Sequence, residues 1–425
     1  MGDKINILVI PSDRTGCGFY RSLTPHVKLS ELYGDLFNVE INYEPDFNNL
    51  DSFGKYDILH FHKGAFIDRE GFSNLLTYCK EKGIVTVMDI DDHWNLSPKH
   101  PNYKNNVREK IPQVICENIR RADWVTTTTD IFAEEISKIK GNQNIFVFPN
   151  AIDPTDAQYA AKKNPSERLR FGFVMGSSHR GDMEQMNGLA NMLKTAGLLD
   201  EIQLVLCGYD LRGTTTILDM KGNKIGERPI QPKESVWYEY EKILTDNYRI
   251  VSPDYSGFLQ KYFPNLQYPN VSNEPYRREW TKNITEYAKH YQNIDVLLVP
   301  LECTPFNKVK SELKFIEAGF TRTAVIATDF GPYTIGSKSL LGANGTIDET
   351  GNCILIDDSK KHKAWFKAIK KLVENPELIT LLQDNMYNTV KDKYDIRNVT
   401  KMRARFYQEI LSGEEKFDMQ KLVTL

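Results

Sequence analysis

The segment from Thr304 to Gly319, TPFNKVKSELKFIEAG, carries the densest set of side chains able to do chemistry. Read as a helix at about 100° per residue, it places Val309, Leu313, Ile316 and Phe320 in one apolar stripe. Lys310, Lys314 and Glu317 then cluster within about 60° on the adjacent polar face. Two lysines at the start of a helix oppose its macrodipole, which makes sense if an anion sits between them and the helix amides. Glu317, deeper on that face, suits two ribose hydroxyls. A solvated amphipathic helix with a Lys-Glu pair accounts for the same spacing equally well.

Four other places carry reactive residue types directly after strand-like runs, where doubly wound sheets bind ligands. Gly176-Ser177-Ser178-His179-Arg180-Gly181-Asp182 combines small residues, hydroxyls and a base at a strand-to-helix turn, a phosphate cradle or an ordinary serine cap. The turn from Pro11 to Arg21 contains Arg14, Gly16, Gly18, Tyr20 and Arg21; it reads either as a binding loop or as a plain tight turn, because the third glycine of a dinucleotide fingerprint is missing. Asp89-Ile90-Asp91-Asp92-His93-Trp94 admits metal ligation, local backbone capping, or substrate bonding and general-base work by Asp91, Asp92 and His93. His62, in His60-Phe61-His62-Lys63, is a partly buried residue on the same, acceptor, side.

These residues need a scaffold. Apolar runs at Ile5 to Ile10, Val39 to Tyr43, Asp57 to Phe61, Ile84 to Ile90, Trp124 to Thr129 and Ile145 to Phe148 alternate with helical stretches, the pattern of a parallel sheet with crossover helices. Helices are expected near Tyr20 to Tyr33, Glu70 to Lys82, Val107 to Arg121 and Ile131 to Lys140. After Pro149 to Pro154 and a polar linker the pattern restarts at Leu169, with strands at Ile202 to Cys207, Asp295 to Leu301, Ala324 to Thr328 and Cys353 to Ile356. The expected layout is a first lobe over 1–160, a second over 161–395 with an insertion at about 210–280, and a closing helix and tail over 396–425. The stretch between Tyr209 and Trp280 is too long for an ordinary loop.

At 425 residues, two lobes are the expectation, and 40% hydrophobic with 26% charged residues is ordinary globular composition. A net charge of −3 gives no global attraction to nucleic acid or anionic lipid, although a local basic cleft can hide in that sum. The six cysteines stand singly, without metal-ligand spacing, which fits a reducing compartment and no structural metal. No run approaches the length of a membrane span, so the expectation is a cytoplasmic protein with at most peripheral membrane contact.

The segment after Thr304 resembles the C-terminal signature of GT-B glycosyltransferases of the group 1, family 4-like superfamily, in the subgroup reading N-x-x-K-S-x-x-K-x-x-E. The matching residues are Asn307, Lys310, Ser311, Lys314 and Glu317, followed by Gly319 and a strand-like run. Gly176-Ser177-x-His179-x-x-Asp182 and Tyr287-x-x-x-Tyr291-x-x-x-Asp295 are similar to the same family, and the likeness spans most of the chain outside the insertion. It implies an α/β fold of two Rossmann-like doubly wound domains facing a cleft, with C-terminal helices crossing back to the first domain. It also implies a nucleotide-diphosphate-sugar donor held by Gly176, Ser177, His179, Arg180, Asn307, Lys310, Ser311 and Lys314, with Glu317 on the ribose. The acceptor would be a glycan or glycoconjugate on the first lobe, with no cofactor and no metal. Many retaining members carry a second glutamate eight residues before the position of Glu317; here it is Val309, so the likeness speaks for donor binding more than for retention. A glycosyltransferase of viral type acting on a nucleic-acid base, a non-catalytic nucleotide- or glycan-binding module, and a sugar-nucleotide isomerase are the competing readings.

Overall fold

A computed structural model of the chain describes residues 4–64, 68–141, 144–218, 224–245, 274–342, 344–357 and 361–412. Parts of the expected insertion (219–223 and 246–273) and tail (413–425) lie outside the described residues. The strands are β1 (Ile5–Ile10), β2 (Phe37–Ile41), β3 (Ile58–His62), β4 (Val85–Asp89), β5 (Trp124–Thr127), β6 (Ile145–Val147), β7 (Leu169–Val174), β8 (Ile202–Tyr209), β9 (Thr214–Leu218), β10 (Lys224–Pro229), β11 (Tyr276–Trp280), β12 (Val296–Val299), β13 (Ala324–Thr328) and β14 (Ile354–Ile356).

Two six-stranded sheets result, β2-β1-β3-β4-β5-β6 and β11-β8-β7-β12-β13-β14, and every pairing within them is parallel. Parallel sheets must be covered on both faces, which is why their strands read as apolar runs without alternation. On the first sheet, helices Arg69–Lys82, Ile111–Arg121 and Asp130–Lys140 cover the face built around Leu8, Phe61 and Val125. Helix Thr24–Tyr33 covers the other face together with Ile396–Ser412, which returns from the far end of the chain to bury Ile396, Phe406 and Tyr407 against Ile7, Val9 and Phe148. The second sheet is likewise covered on both faces.

Local chemistry sets the boundaries. Asp68 accepts from the Gly71 amide to cap one helix, which Gly83 ends at φ 72°. The single helix expected from Val107 to Arg121 is two, Tyr103–Arg108 and Ile111–Arg121. Lys110 between them sits at φ 51°, and Pro112 occupies the first turn of the second helix, where its missing N–H does no harm. Within the described part of the insertion, β9 and β10 form an antiparallel hairpin, helix Val236–Thr245 buries Trp237 and Tyr240, and β11 extends the second sheet at its edge. No described helix is long and apolar enough to cross a membrane.

Candidate functional site

The segment expected as one helix from Pro305 to Gly319 is also broken. Thr304 caps a single turn, Pro305–Lys308, by accepting from the Asn307 amide, and the helix restarts at Leu313 and runs to Phe320. Val309 explains the interruption: it is 3% exposed and packs in the core of the first lobe, among Ile10, Phe61 and Ile90. A continuous helix would instead have turned it onto the second-lobe face with Ile316. The break puts Lys310 and Ser311 in a turn at the amino end of helix Leu313–Phe320, where free amides favour an anion.

This turn lines a cleft of about 810 Å³ between the lobes. Arg14, Gly16 and Asp91 line it from the first lobe, and His179, Lys310 and Lys314 from the second. Arg14, Lys282 and Lys310 have no carboxylate within ion-pair reach among the described residues; Arg14 lies over the Tyr43 ring and Lys310 beside Phe306. Lys314 is paired with Glu317 at 3.0 Å, and burial, which would depress its ammonium, is outweighed by that carboxylate. The cleft therefore keeps an excess of unneutralised cations in a chain whose net charge is −3.

The lobes are joined across the cleft. Asn150 donates to Ser311 Oγ at 2.9 Å, Lys99 bridges to Glu184 at 2.9 Å and Glu302 at 2.8 Å, and Tyr20 donates to Glu317 Oε1 at 2.8 Å. Glu317, 1% exposed, also accepts from Tyr291 at 2.7 Å and from Lys314, so in this closed arrangement protein donors occupy the carboxylate expected to face a ribose. Burial, reinforced by that carboxylate, holds the Tyr20 and Tyr291 hydroxyls well above their usual range and keeps them donors.

On the first lobe, His62 is fully buried and meets the cleft only through Asp91, its Nε2 at 3.0 Å from Oδ1, while Nδ1 contacts Ser12 Oγ at 2.6 Å. Burial would raise the Asp91 carboxyl, but Lys63 at 2.7 Å and His62 hold it well below the usual carboxylate range. Cys17, Asp91 and Asp92 offer ligand atoms within 4.8 Å of one another, yet Lys63 already brings a cation to Asp91. Burial, aided by Asp91, pushes the Cys17 thiol well above its ordinary value.

Several residues singled out in the sequence do other work. Arg21 is 1% exposed and fully engaged, paired with Asp89 and donating to the Phe148 carbonyl and Asn150 Oδ1, so it shapes the wall instead of binding an anion. Gly18 is buried where a Cβ would meet the Asp13 carbonyl at 1.8 Å, whereas Gly16 opens into the cleft. His93 stacks on Trp94 and faces Glu135 at 3.8 Å, away from the cleft, because Trp94 and Phe132 draw it into the core. Asn307 is buried and donates to Asp182 and the Glu302 carbonyl, tying the turn to the short helix Arg180–Glu184 that follows β7. Arg180 is largely exposed beside Glu184. Gly176 and Ser177 offer their carbonyls to Tyr240 from the insertion, which fixes their loop. Asp182 holds His179 at 2.6 Å; burial and Lys310 lower the imidazole, favouring its neutral form. Sequence reasoning passed over Asn150, Lys282 and Tyr333 as site residues, and quoted Lys63 beside His62 without giving it a role. Of the three passed over, Asn150, directly after a strand-end proline, left a positional signal.

No protein-family model and no curated protein sequence matches this chain. Solved structures do. Anabaena Alr3699/HepE in complex with UDP superposes with a TM-score of 0.60 at 12% identity, covering 96% of this chain and 100% of that one. The sucrose-phosphate synthase of Thermosynechococcus elongatus gives 0.60 at 13%, over 97% and 100%. An alpha-glucosyltransferase in complex with UDP-glucose and DNA containing an abasic site gives 0.59 at 14%, over 96% and 100%. The fold is that of GT-B glycosyltransferases, two Rossmann-like domains about a cleft.

Proposed function

We propose that this GT-B chain is a glycosyltransferase that takes a sugar from a nucleoside-diphosphate donor in the interlobe cleft and passes it to a hydroxyl-bearing glycan or glycoconjugate acceptor on the first lobe. The observation that carries this reading is the pair of unneutralised cations, Arg14 and Lys310, facing one cleft from opposite lobes beside the amino end of helix Leu313–Phe320. Charge that develops on a leaving diphosphate is stabilised best by donors already fixed in place. Ser311 accepts from Asn150 and so keeps its own hydroxyl hydrogen for a phosphate oxygen. Glu317 takes a ribose hydroxyl by exchanging its bond from Tyr20, which requires the lobes to part before the donor enters. Lysine, arginine and helix amides supply the electrostatics, and the scheme calls for no metal. Closure then excludes water and limits hydrolysis.

The direct test incubates the protein with UDP-, GDP-, ADP-, CMP- and dTDP-sugars and measures nucleotide release. Turnover and donor affinity that survive Lys310→Ala unchanged would sink the assignment.

A polyanionic acceptor is the second reading. Arg69, Lys110, Arg120 and Arg121 line a shallow groove on the first lobe together with Trp94 and Asn95, which follow the cleft-lining Asp91 and Asp92 in the chain. The alpha-glucosyltransferase named above is in complex with DNA. Oligonucleotide binding that weakens steeply with salt and is lost on Arg120→Glu with Arg121→Glu would favour this acceptor class.

A further inference from the structure

A second cavity, of about 550 Å³, lies behind the donor turn and has no part in the scheme above. Thr128 and Pro149 line it from the first lobe, Glu312 and Ile335 from the second, and Met402 and Arg405 from the returning helix. Its wall toward the donor cleft is one residue thick. Pro149 and Glu312 face the second cavity, while their chain neighbours Asn150 and Ser311 line the donor cleft and are hydrogen-bonded to each other.

Two of the residues that line this cavity hold buried polar atoms without a partner among the described residues. Glu312 is 3% exposed; its Oε1 accepts from the Tyr394 hydroxyl at 2.7 Å, and Oε2 has no partner among the described residues. Thr128 is 1% exposed, and its hydroxyl likewise has none. A buried polar atom left without a partner costs about 1 to 3 kcal/mol. A packed core sheds such atoms, whereas a binding site keeps them. Burial also pushes the Glu312 carboxyl up, with the Tyr394 bond opposing.

A ligand hydroxyl suits either of them, since it can donate to a carboxylate oxygen or accept from a threonine. Val147, Pro149, Ile335 and Met402 give the rest of the cavity an apolar lining suited to the C–H face of a ring. The charged rim is balanced: Lys393, Lys401 and Arg405 stand against Asp130, Asp392 and the Glu409 that pairs with Arg405. We propose that this cavity is a binding site for a neutral saccharide, separate from the donor cleft and held jointly by both lobes and the C-terminal helix. Such a ligand favours the closed arrangement, because it touches both lobes at once. The assignment stands apart from the donor reading.

Calorimetric titration of the full chain with glucose, galactose, mannose, maltose and cellobiose, and with glucose 6-phosphate for comparison, tests it. At least one neutral sugar is expected to bind. Thr128→Val, which keeps the shape and removes the hydroxyl, should weaken that binding about tenfold, the loss of one hydrogen bond. Glu312→Gln should weaken it as well, and Met402→Trp should abolish it while the melting temperature shows the protein folded. Lys310→Ala should leave it unchanged. The proposal is overturned if no neutral sugar binds, if only the phosphorylated sugar does, if Thr128→Val and Glu312→Gln bind like the parent, or if Lys310→Ala removes binding, which would place the sugar in the donor cleft.

Discussion

Tyr20→Phe should loosen the closed arrangement of the lobes without unfolding either. The hydroxyl it removes belongs to the first lobe and donates to Glu317 Oε1 of the second at 2.8 Å, while lying 2.8 Å from the Tyr159 hydroxyl. The Phe ring fills the same buried volume, so the change removes the hydrogen bond to the charged Glu317, worth about 1.5 to 3 kcal/mol, together with the neutral contact to Tyr159. At about 1.4 kcal/mol per factor of ten, the closed-to-open ratio falls by about 10- to 150-fold. Lys99, the Asn150–Ser311 bond and the seat of Val309 in the first-lobe core still hold the lobes together. Single-molecule energy transfer between one label on each lobe reads the ratio, and calorimetry reads the accompanying drop in melting temperature. A closed population within about threefold of the parent, at an unchanged melting temperature, would show that Tyr20 does not latch the cleft, since that shift is under 1 kcal/mol.

Lys310→Ala should weaken donor binding by about 10- to 100-fold, the range of a lost charge-assisted contact, and leave thermal stability unchanged because Lys310 has no carboxylate partner among the described residues; titration of donor and a melting curve check both halves. His26 and His60 are fully buried, meet at the Tyr407 hydroxyl, and are held well below their ordinary 6.5 by burial, with Arg403 adding to it. The unfolded chain therefore binds more protons below about pH 6.5, so stability is full above that value and falls as pH drops through it, by up to about 1.4 kcal/mol per unit for each ring. Denaturation midpoints from pH 7.5 to 5 should show that slope, and His60→Gln should flatten it. Lys163, whose ammonium is pushed down to about 7 by burial, gives the opposite chain region a similar sensitivity at higher pH: the unfolded state binds the extra proton between about 7 and 10.5, so stability rises with pH there, and Lys163→Met should remove the rise. Gly18→Ala forces a Cβ against the Asp13 carbonyl and should cost about 1 to 3 kcal/mol, measured by urea denaturation.

The sheets were legible because parallel strands buried on both faces leave unbroken apolar runs: β1 and β13 end where their patterns end, and the other core strands lie within a few residues. β11 was not legible. Tyr276 to Trp280, YRREW, is an edge strand whose charges find partners in three dimensions, Arg278 with Glu241 and Glu279 with His290, so it carries no apolar signature. The donor turn was legible in its residue types but not in its shape. Periodicity placed Val309 on the stripe with Leu313 and Ile316, and only the core of the opposite lobe, distant in sequence, pulls it out of the helix.

By itself the sequence determined the two doubly wound lobes, the helices that follow them and the cluster of Lys310, Ser311, Lys314 and Glu317, because hydrophobic period and residue type are properties of neighbouring positions. Only the tertiary structure decided which charged groups remain available. Arg21 and Arg14 sit seven positions apart in one loop and read alike, yet Arg21 is buried against Asp89 and Arg14 faces the cleft. Asp91 and His93 are two positions apart; one lines the cleft and the other stacks in the core. Whether a charge can meet a ligand depends on the partner it already has, and that partner comes from elsewhere in the chain.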